Sequence, residues 1–148
     1  MNRLLIIGCS ETKRPDPGKL PAIERYDGPA FRVLRRARKA GHLVATQVFI
    51  LSAEHGLIDE DRMIADYDRR MTAERARALA PEVSSELLRW LLRHPECQRA
   101  FVNLGRSYAP ALDGFGAWCS RHGVAVVEAH GGIGERGGQM KAWLEQSA

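Results

Sequence analysis

Four short apolar runs punctuate this chain, and each breaks off into glycine or polar residues. They are "RLLIIG" (3–8), "TQVFILS" (46–52), "RAFVNLG" (99–105) and "VAVVEAHGG" (124–132). Brief runs rich in Ile, Val, Leu and Phe suit strands buried on both faces. Helix-length segments lie between them. "PAFRVLRRARKAGH" (29–42) opens on proline and closes near glycine, with Phe31, Leu34 and Ala37 on one face. Thr72 can cap a helical region that reaches about His94, and Pro81 is expected to divide it or to start its second part. "APALDGFGAWCSRHG" (109–123) reads as a helix despite Gly114 and Gly116, and "GGQMKAWLEQ" (137–146) as the last one. Residues 9–28 hold Pro15, Pro17, Pro21 and two glycines and read as a long loop, as does the polar stretch after residue 52.

Strand and helix therefore alternate. The expectation is an α/β chain, a single domain over residues 1–148. Its mostly parallel sheet would have about four or five strands, with helices on both faces in a Rossmann-like three-layer arrangement. The sequence shows no repeat, low-complexity tract or linker. No apolar run approaches the roughly 20 residues of a membrane span. The N-terminal run is too short for a signal peptide, so a cytoplasmic protein with no membrane partner is expected. Cys9, Cys97 and Cys119 are odd in number and far apart, and they read as free thiols rather than disulfide or zinc ligands.

The polar clusters fall at one kind of place. "GCSETK" (8–13), "SAEHG" (52–56), "GRSY" (105–108) and "AHGGIGERGG" (129–138) each follow a strand. The carboxyl ends of the strands are where open α/β sheets bind ligands. "GCSETK" lacks the second glycine and Lys-Ser/Thr pair of a P-loop. It still supplies Cys9 and Ser10 as nucleophiles and Lys13 as a phosphate partner or, if desolvated, a nucleophile. The competing reading is a core thiol, a turn serine and a solvated lysine. Glu54 and His55 offer an acid or base near neutrality. Adjacent residues on extended chain point apart, so His55, with Ser52, is the choice over Glu54. A hydrogen-bonded turn histidine is the plain alternative. The pair is not HExxH, and neither a metal nor a cofactor is expected. Gly132, Gly134 and Gly137 fit G-x-G-x-x-G formally, but no βαβ unit can follow them. What survives is an amide-rich anion cradle ahead of a helix, or else a flexible loop.

Charge is unevenly placed. Residues 1–40 hold ten Lys/Arg against four Asp/Glu, and the rest hold twelve against fourteen. That asymmetry favours an anionic partner for the N-terminal half, and solvated helix faces explain it nearly as well. Arg32, Arg35, Arg36 and Lys39 recur at helical spacing and form a candidate stripe for nucleic-acid phosphates.

"RYDGPAFRVL" and "ILSAEHGLIDEDRMIADYDRRM" (50–71), with the Cys-Ser-x-x-Lys at Cys9 to Lys13, resemble a family of small uncharacterised bacterial proteins. That family shares a Tyr-x-Gly-x-x-Phe, a Leu-Ser-x-x-His-Gly-Leu and a Tyr-Asp-x-x-Met. The same residues more distantly resemble YaaA-type peroxide-stress proteins, which are associated with DNA binding. His55 stands where those proteins tend to have tyrosine. A remoter likeness is to the catalytic core of archaeosine synthases, which implies base or nucleoside chemistry through a lysine. The resemblance spans residues 5–71 and falls on Ser10, Lys13, Tyr26, Gly28, Phe31, Ser52, His55, Gly56, Tyr67, Asp68 and Met71.

Three function classes follow. The favoured one is an enzyme acting on a nucleotide, nucleoside or base, by group transfer or glycosidic-bond chemistry, with an anion site at the strand ends. Lys13, His55 and Ser10 would carry the chemistry. Cys9, Tyr26, Gly28, Ser52, Glu54, Gly56, Tyr67, Asp68, Gly105 and the Gly132–Gly137 segment would hold the ligand. The alternative is a non-enzymatic DNA- or RNA-binding protein using the basic stripe, and the third is an interaction protein with no site chemistry. Substrate, reaction and oligomeric state are left open.

Overall fold

In the computed structural model, which describes residues 1–146, the first apolar run is β1 (Arg3–Gly8). After it come β2 (Lys19–Pro21), a helical turn α1 (Ala22–Arg25), α2 (Pro29–Lys39) and β3 (Thr46–Ser52). β4 (Gly56–Asp59), β5 (Met63–Ala65), α3 (Ala73–Arg93) and β6 (Arg99–Asn103) follow. A 3-10 helix (Arg106–Leu112), α4 (Phe115–Arg121), β7 (Ala125–Glu128) and α5 (Ile133–Glu145) complete the chain. The main sheet has five strands in the order β4-β3-β1-β6-β7. β3, β1, β6 and β7 are parallel, and β4 runs antiparallel to β3 at the edge. β2 and β5 form a separate antiparallel pair.

The strand order reverses at β1. From there the chain steps one way to β3, then crosses back to place β6 on the other side and β7 beyond it. Crossovers of a single hand running in opposite directions put their helices on opposite faces. The core obeys this. Leu5, Ile7, Val48 and Ile50 pack with Phe31 and Leu34 of α2 and Met140 of α5. Leu4, Ile6, Ala100 and Val102 pack with Leu79, Val83, Leu87 and Leu91 of α3 and with Phe115 of α4. The alternating side chains of β1 thus feed two separate clusters, as a strand period of two requires.

Five expectations need correcting. The stretch after residue 52 is not a loop throughout, because it holds β4 and β5. Residues 9–28 are not a loop throughout, because they include β2 and α1, and Ala22, Ile23 and Tyr26 are fully buried. Pro81 lies inside α3 and does not divide it. Its ring faces solvent, while Ala76, Leu79, Val83, Leu87, Trp90 and Leu91 keep one buried stripe on both sides of it. Packing of that stripe outweighs the lost hydrogen bond. The helix placed over 109–123 is two pieces, a 3-10 helix and α4, parted at Gly114, whose φ of 83° no right-handed helix accepts. The last helix starts at Ile133 rather than residue 137, so Gly134 and Gly137 sit within it.

Two buried arginines organise the frame. Arg3, 2 % exposed, donates to the Thr46 hydroxyl and to the carbonyls of His42, Trp143, Leu144 and Gln146 at 2.9–3.4 Å. It gathers the carbonyls that the end of α5 leaves unpaired. Arg25, 0 % exposed, donates to the carbonyls of Arg14, Asp16, Gly18 and Ile64 and holds the 14–18 segment against β5. Neither makes a carboxylate ion pair among the described residues.

Arg3→Ala and Arg25→Ala should each lower unfolding free energy by about 3 kcal/mol or more, since each strands several buried carbonyls. Arg36→Ala, on an exposed surface, should stay within about 0.5 kcal/mol in the same urea titration. Glu60 supplies a pH test. Its carboxyl is 15 % exposed, 3.7 Å from Arg38, with Oε2 lacking a hydrogen bond, and burial raises its pKa from 4.5 to about 7. In the window between those values the folded state holds the proton and the unfolded state does not. Stability should therefore fall as pH rises from about 4.5 to about 7, by at most about 3 kcal/mol. Glu60→Gln should flatten that fall.

Candidate functional site

The point where the strand order reverses opens a gap between the carboxyl ends of β1 and β6, the place where such sheets hold ligands. A cleft of about 400 Å³ lies there. Its walls are Gly8 to Thr12 beyond β1, Gly28 to Phe31 at the start of α2, and Asn103, Gly105 and Tyr108 at and after the end of β6. Ile133 and Arg136 of α5 close it. Close approach of two segments needs Gly28, since a Cβ there would stand 2.8 Å from the Ser10 Cβ. The Ser10 hydroxyl accepts from Gly28 N–H at 3.2 Å and donates to the Thr12 carbonyl at 2.6 Å. Tyr108 donates to the Cys9 carbonyl at 2.8 Å, with Cys9 Sγ 3.2 Å from its oxygen. Burial holds the Tyr108 phenol above its ordinary pKa, so it remains a donor.

The electrostatics of the cleft suit an anion. α2 and α5 both point their N-termini at it, each with a glycine N-cap and no side-chain cap on the glycine's part. The first amides of a helix have no acceptor within it and carry the positive end of its dipole. Arg136 lies across Gly105, where an added Cβ would be 3.6 Å from Nη1, and its Nε is buried with no partner. Asn103 is 6 % exposed, and its Nδ2 reaches only the Met140 sulfur, at 3.6 Å. Its carbonyl oxygen has no partner among the described residues. A buried guanidinium nitrogen left this way is unusual in folded proteins.

Of the residues singled out in the sequence, Cys9, Ser10, Gly28 and Gly105 line this cleft. Gly132 caps α5 at its rim, while Gly134 and Gly137 lie in the helix rather than in a cradle loop. Lys13 and His55 come together elsewhere, around Tyr67. The Lys13 ammonium sits 4.4 Å from the Tyr67 ring centroid, and the His55 ring meets that ring edge-on at 5.6 Å. Tyr26, Ser52 and Tyr67 join their hydroxyls in a triangle of 2.7–3.1 Å. Ser52 Oγ also accepts from Glu54 N–H and His55 N–H, at 3.2 and 3.0 Å. Its own proton therefore goes to Tyr67, and that of Tyr67 to Tyr26, which closes a ring. "SAEHG" is the tight turn from β3 into β4, and Ser52 is its brace. Burial raises the Tyr26 pKa to about 12 and also raises that of Tyr67. Burial and Arg62 lower that of His55, which is neutral at pH 7. Gly56 starts β4, Glu54 is exposed 3.4 Å from Arg69, and Asp68 is exposed.

The basic stripe is thinner than its sequence spacing implies. Arg35 donates to the carbonyls of Ile23 and Tyr26 and pairs with Asp27 at 2.6 Å, and Arg32 lies 3.6 Å from the same carboxylate. Arg36 and Lys39 are exposed. Sequence reading passed over Asn103, Tyr108 and Arg136. "GRSY" held Tyr108 in plain view, but the other two sat in segments read as strand and as glycine loop. Among the described residues no helix is long and apolar enough to cross a membrane, and no group of three His, Cys, Asp or Glu could hold a metal.

Residues 4–146 match DUF6884, a family of unknown function, and the chain belongs to that family. No curated protein and no solved structure matches it.

The hydroxyl ring should weigh on stability. Ser52→Ala leaves two turn amides and a buried phenol without their acceptor and should cost about 2–4 kcal/mol. Tyr67→Phe removes one link and should cost about 1 kcal/mol. Denaturant unfolding of the two variants measures both, and a smaller loss for Ser52→Ala than for Tyr67→Phe would contradict the bracing role.

Proposed function

We propose that this protein binds a small anionic, nucleotide-like ligand in the cleft between β1 and β6 and acts on it by group transfer or glycosidic-bond chemistry. The observation that carries the reading is the uncommitted Arg136 guanidinium nitrogen, buried beside two helix N-termini at the reversal of strand order. The Arg136 guanidinium and the N-termini of α2 and α5 bring positive polarity to one place, and the Arg136 Nε has no partner in the chain. The doubly wound character of the sheet, Rossmann-like in this reading, supports the same assignment, because such sheets hold nucleotides at this edge. So does the resemblance of residues 5–71 to YaaA-type proteins and to archaeosine synthases. Cys9 and Ser10 are the thiol and hydroxyl on the cleft wall and are the candidates for contact with the reacting atoms. Lys13 and His55 stand behind them as neighbours of Tyr67, and their part is to hold the loops rather than to line the cleft.

Ligand-induced thermal stabilisation tests this. In a panel of nucleotides, nucleosides and phosphosugars, a true ligand at about 100 times its Kd should stabilise by roughly 2.7 kcal/mol. Arg136→Ala should weaken that ligand at least tenfold, about 1.4 kcal/mol. Lys141→Ala, an exposed change on the same helix, should leave its affinity unchanged. A ligand that binds Arg136→Ala as tightly as the unaltered protein, or no response to any phosphorylated compound, overturns the reading.

A further inference from the structure

We propose that the cleft takes a single phosphoryl group, a phosphate monoester on a ribose, and takes it without a divalent cation. The inference rests on the ligand reading above and narrows it by charge. The lining holds one arginine, Arg136, and one carboxylate, Glu11. Glu11 is exposed and makes a 2.7 Å ion pair with Arg70. Each helix N-terminus contributes about half a positive charge. Arg136 and the two helices together therefore offer at most about two positive charges, and the carboxylates of Glu11 and Glu135 lower that. A phosphate monoester carries about −1.5 to −2 at neutral pH and matches this.

A diphosphate or triphosphate does not match it. The extra charge of those groups is ordinarily carried by a magnesium ion held on protein carboxylates. One or two carboxylates beside the phosphates suffice for that ion, and Glu11, the carboxylate in the lining, is already paired with Arg70. Glu135, the acid nearest the rim on α5, is already occupied. Its carboxylate accepts from Gly132 N–H at 3.4 Å. That contact tempers the charge at the α5 terminus and makes a polyanion less welcome still.

The floor accounts for the rest of the ligand. Asn103, 6 % exposed, lines the cleft, and its side-chain amide is a neutral polar group there. It is an acceptor for a hydroxyl or amino group, not for a second phosphate. Tyr108, Ala30 and Ile133 supply apolar surface to the lining. The site thus pairs one anion anchor with one neutral polar contact and an apolar wall, at about 400 Å³.

Isothermal titration of the full-length protein tests this with the four ribonucleoside monophosphates, their diphosphates and triphosphates, ribose 5-phosphate and inorganic phosphate. Each is run in EDTA and again with magnesium. At least one monophosphate should bind tenfold or more tighter than its di- and triphosphate, with the same Kd in both buffers. Ribose 5-phosphate at equal affinity assigns a sugar phosphate as the source, and a tenfold deficit assigns a nucleotide. Arg136→Gln should weaken the monophosphate at least tenfold and leave the matching nucleoside unchanged, and the melting temperature of the free variant shows that it is folded. Tighter binding of a triphosphate, or binding only with magnesium, overturns the single-phosphoryl inference and leaves the ligand reading standing. Silence from every phosphorylated compound overturns both.

Discussion

The guanidinium of Arg3 is the interaction on which the geometry of the cleft depends. It sits at the first residue of β1 and collects the carbonyls that end α5. β1 has six residues and α5 thirteen. At about 3.3 Å and 1.5 Å per residue, each element is roughly 20 Å long. Two elements of equal length, pinned together at one end and running opposite ways, must also finish level at the other. That other end holds Gly8 and Cys9 on the strand and Ile133 and Arg136 on the helix. A clamp at the floor of the molecule thus sets the height of the cleft wall at its top. Both buried arginines are neutralised by carbonyl dipoles rather than by carboxylates, so their geometry is fixed by backbone, which moves little.

Sequence reading went furthest where burial is continuous. β1, β3 and β6 show as apolar runs because both faces are covered, while β7 carries the pattern as a largely exposed edge strand, and the order of strands and helices follows from alternation. β4 and β5 escaped because four and three residues carry too little pattern to register, and the pairing of β4 with β3 depends on a turn braced by a hydroxyl. The start of α5 escaped for a different reason. "GGIGERGG" has the composition of a loop, and its helical form is imposed by Met140, Trp143 and Leu144 packing farther along and by the clamp at the far end. Local propensity was overruled by tertiary contact.

The site was half legible by the same logic. Topology sends Cys9, Ser10 and Gly105 to one rim, the resemblance adds Gly28, and all four line the cleft. Lys13 and His55 have site-like chemistry, but the side chains that surround them are aromatic and hydroxylic, and they join a bracing network. Asn103 and Arg136 are the reverse case. Their role is visible only as hydrogen-bonding capacity left unused after folding, a quantity that does not exist until the neighbours are in place.

One consequence of the central position of β1 concerns the order in which the chain can assemble. β1 pairs with β3 at residues 46–51 and with β6 at residues 99–103. A chain growing from its N-terminus can form β1, α2, β3 and β4 early, while the second edge of β1 waits about fifty residues for its partner. Through that interval the strand presents open backbone groups and the side chains of half a core, the state in which sheets pair wrongly with other chains. α3, the longest helix, is made within that interval, and its buried stripe is the first surface available to cover the exposed face. The proline set on its outer side, where it costs no packing, leaves that cover intact.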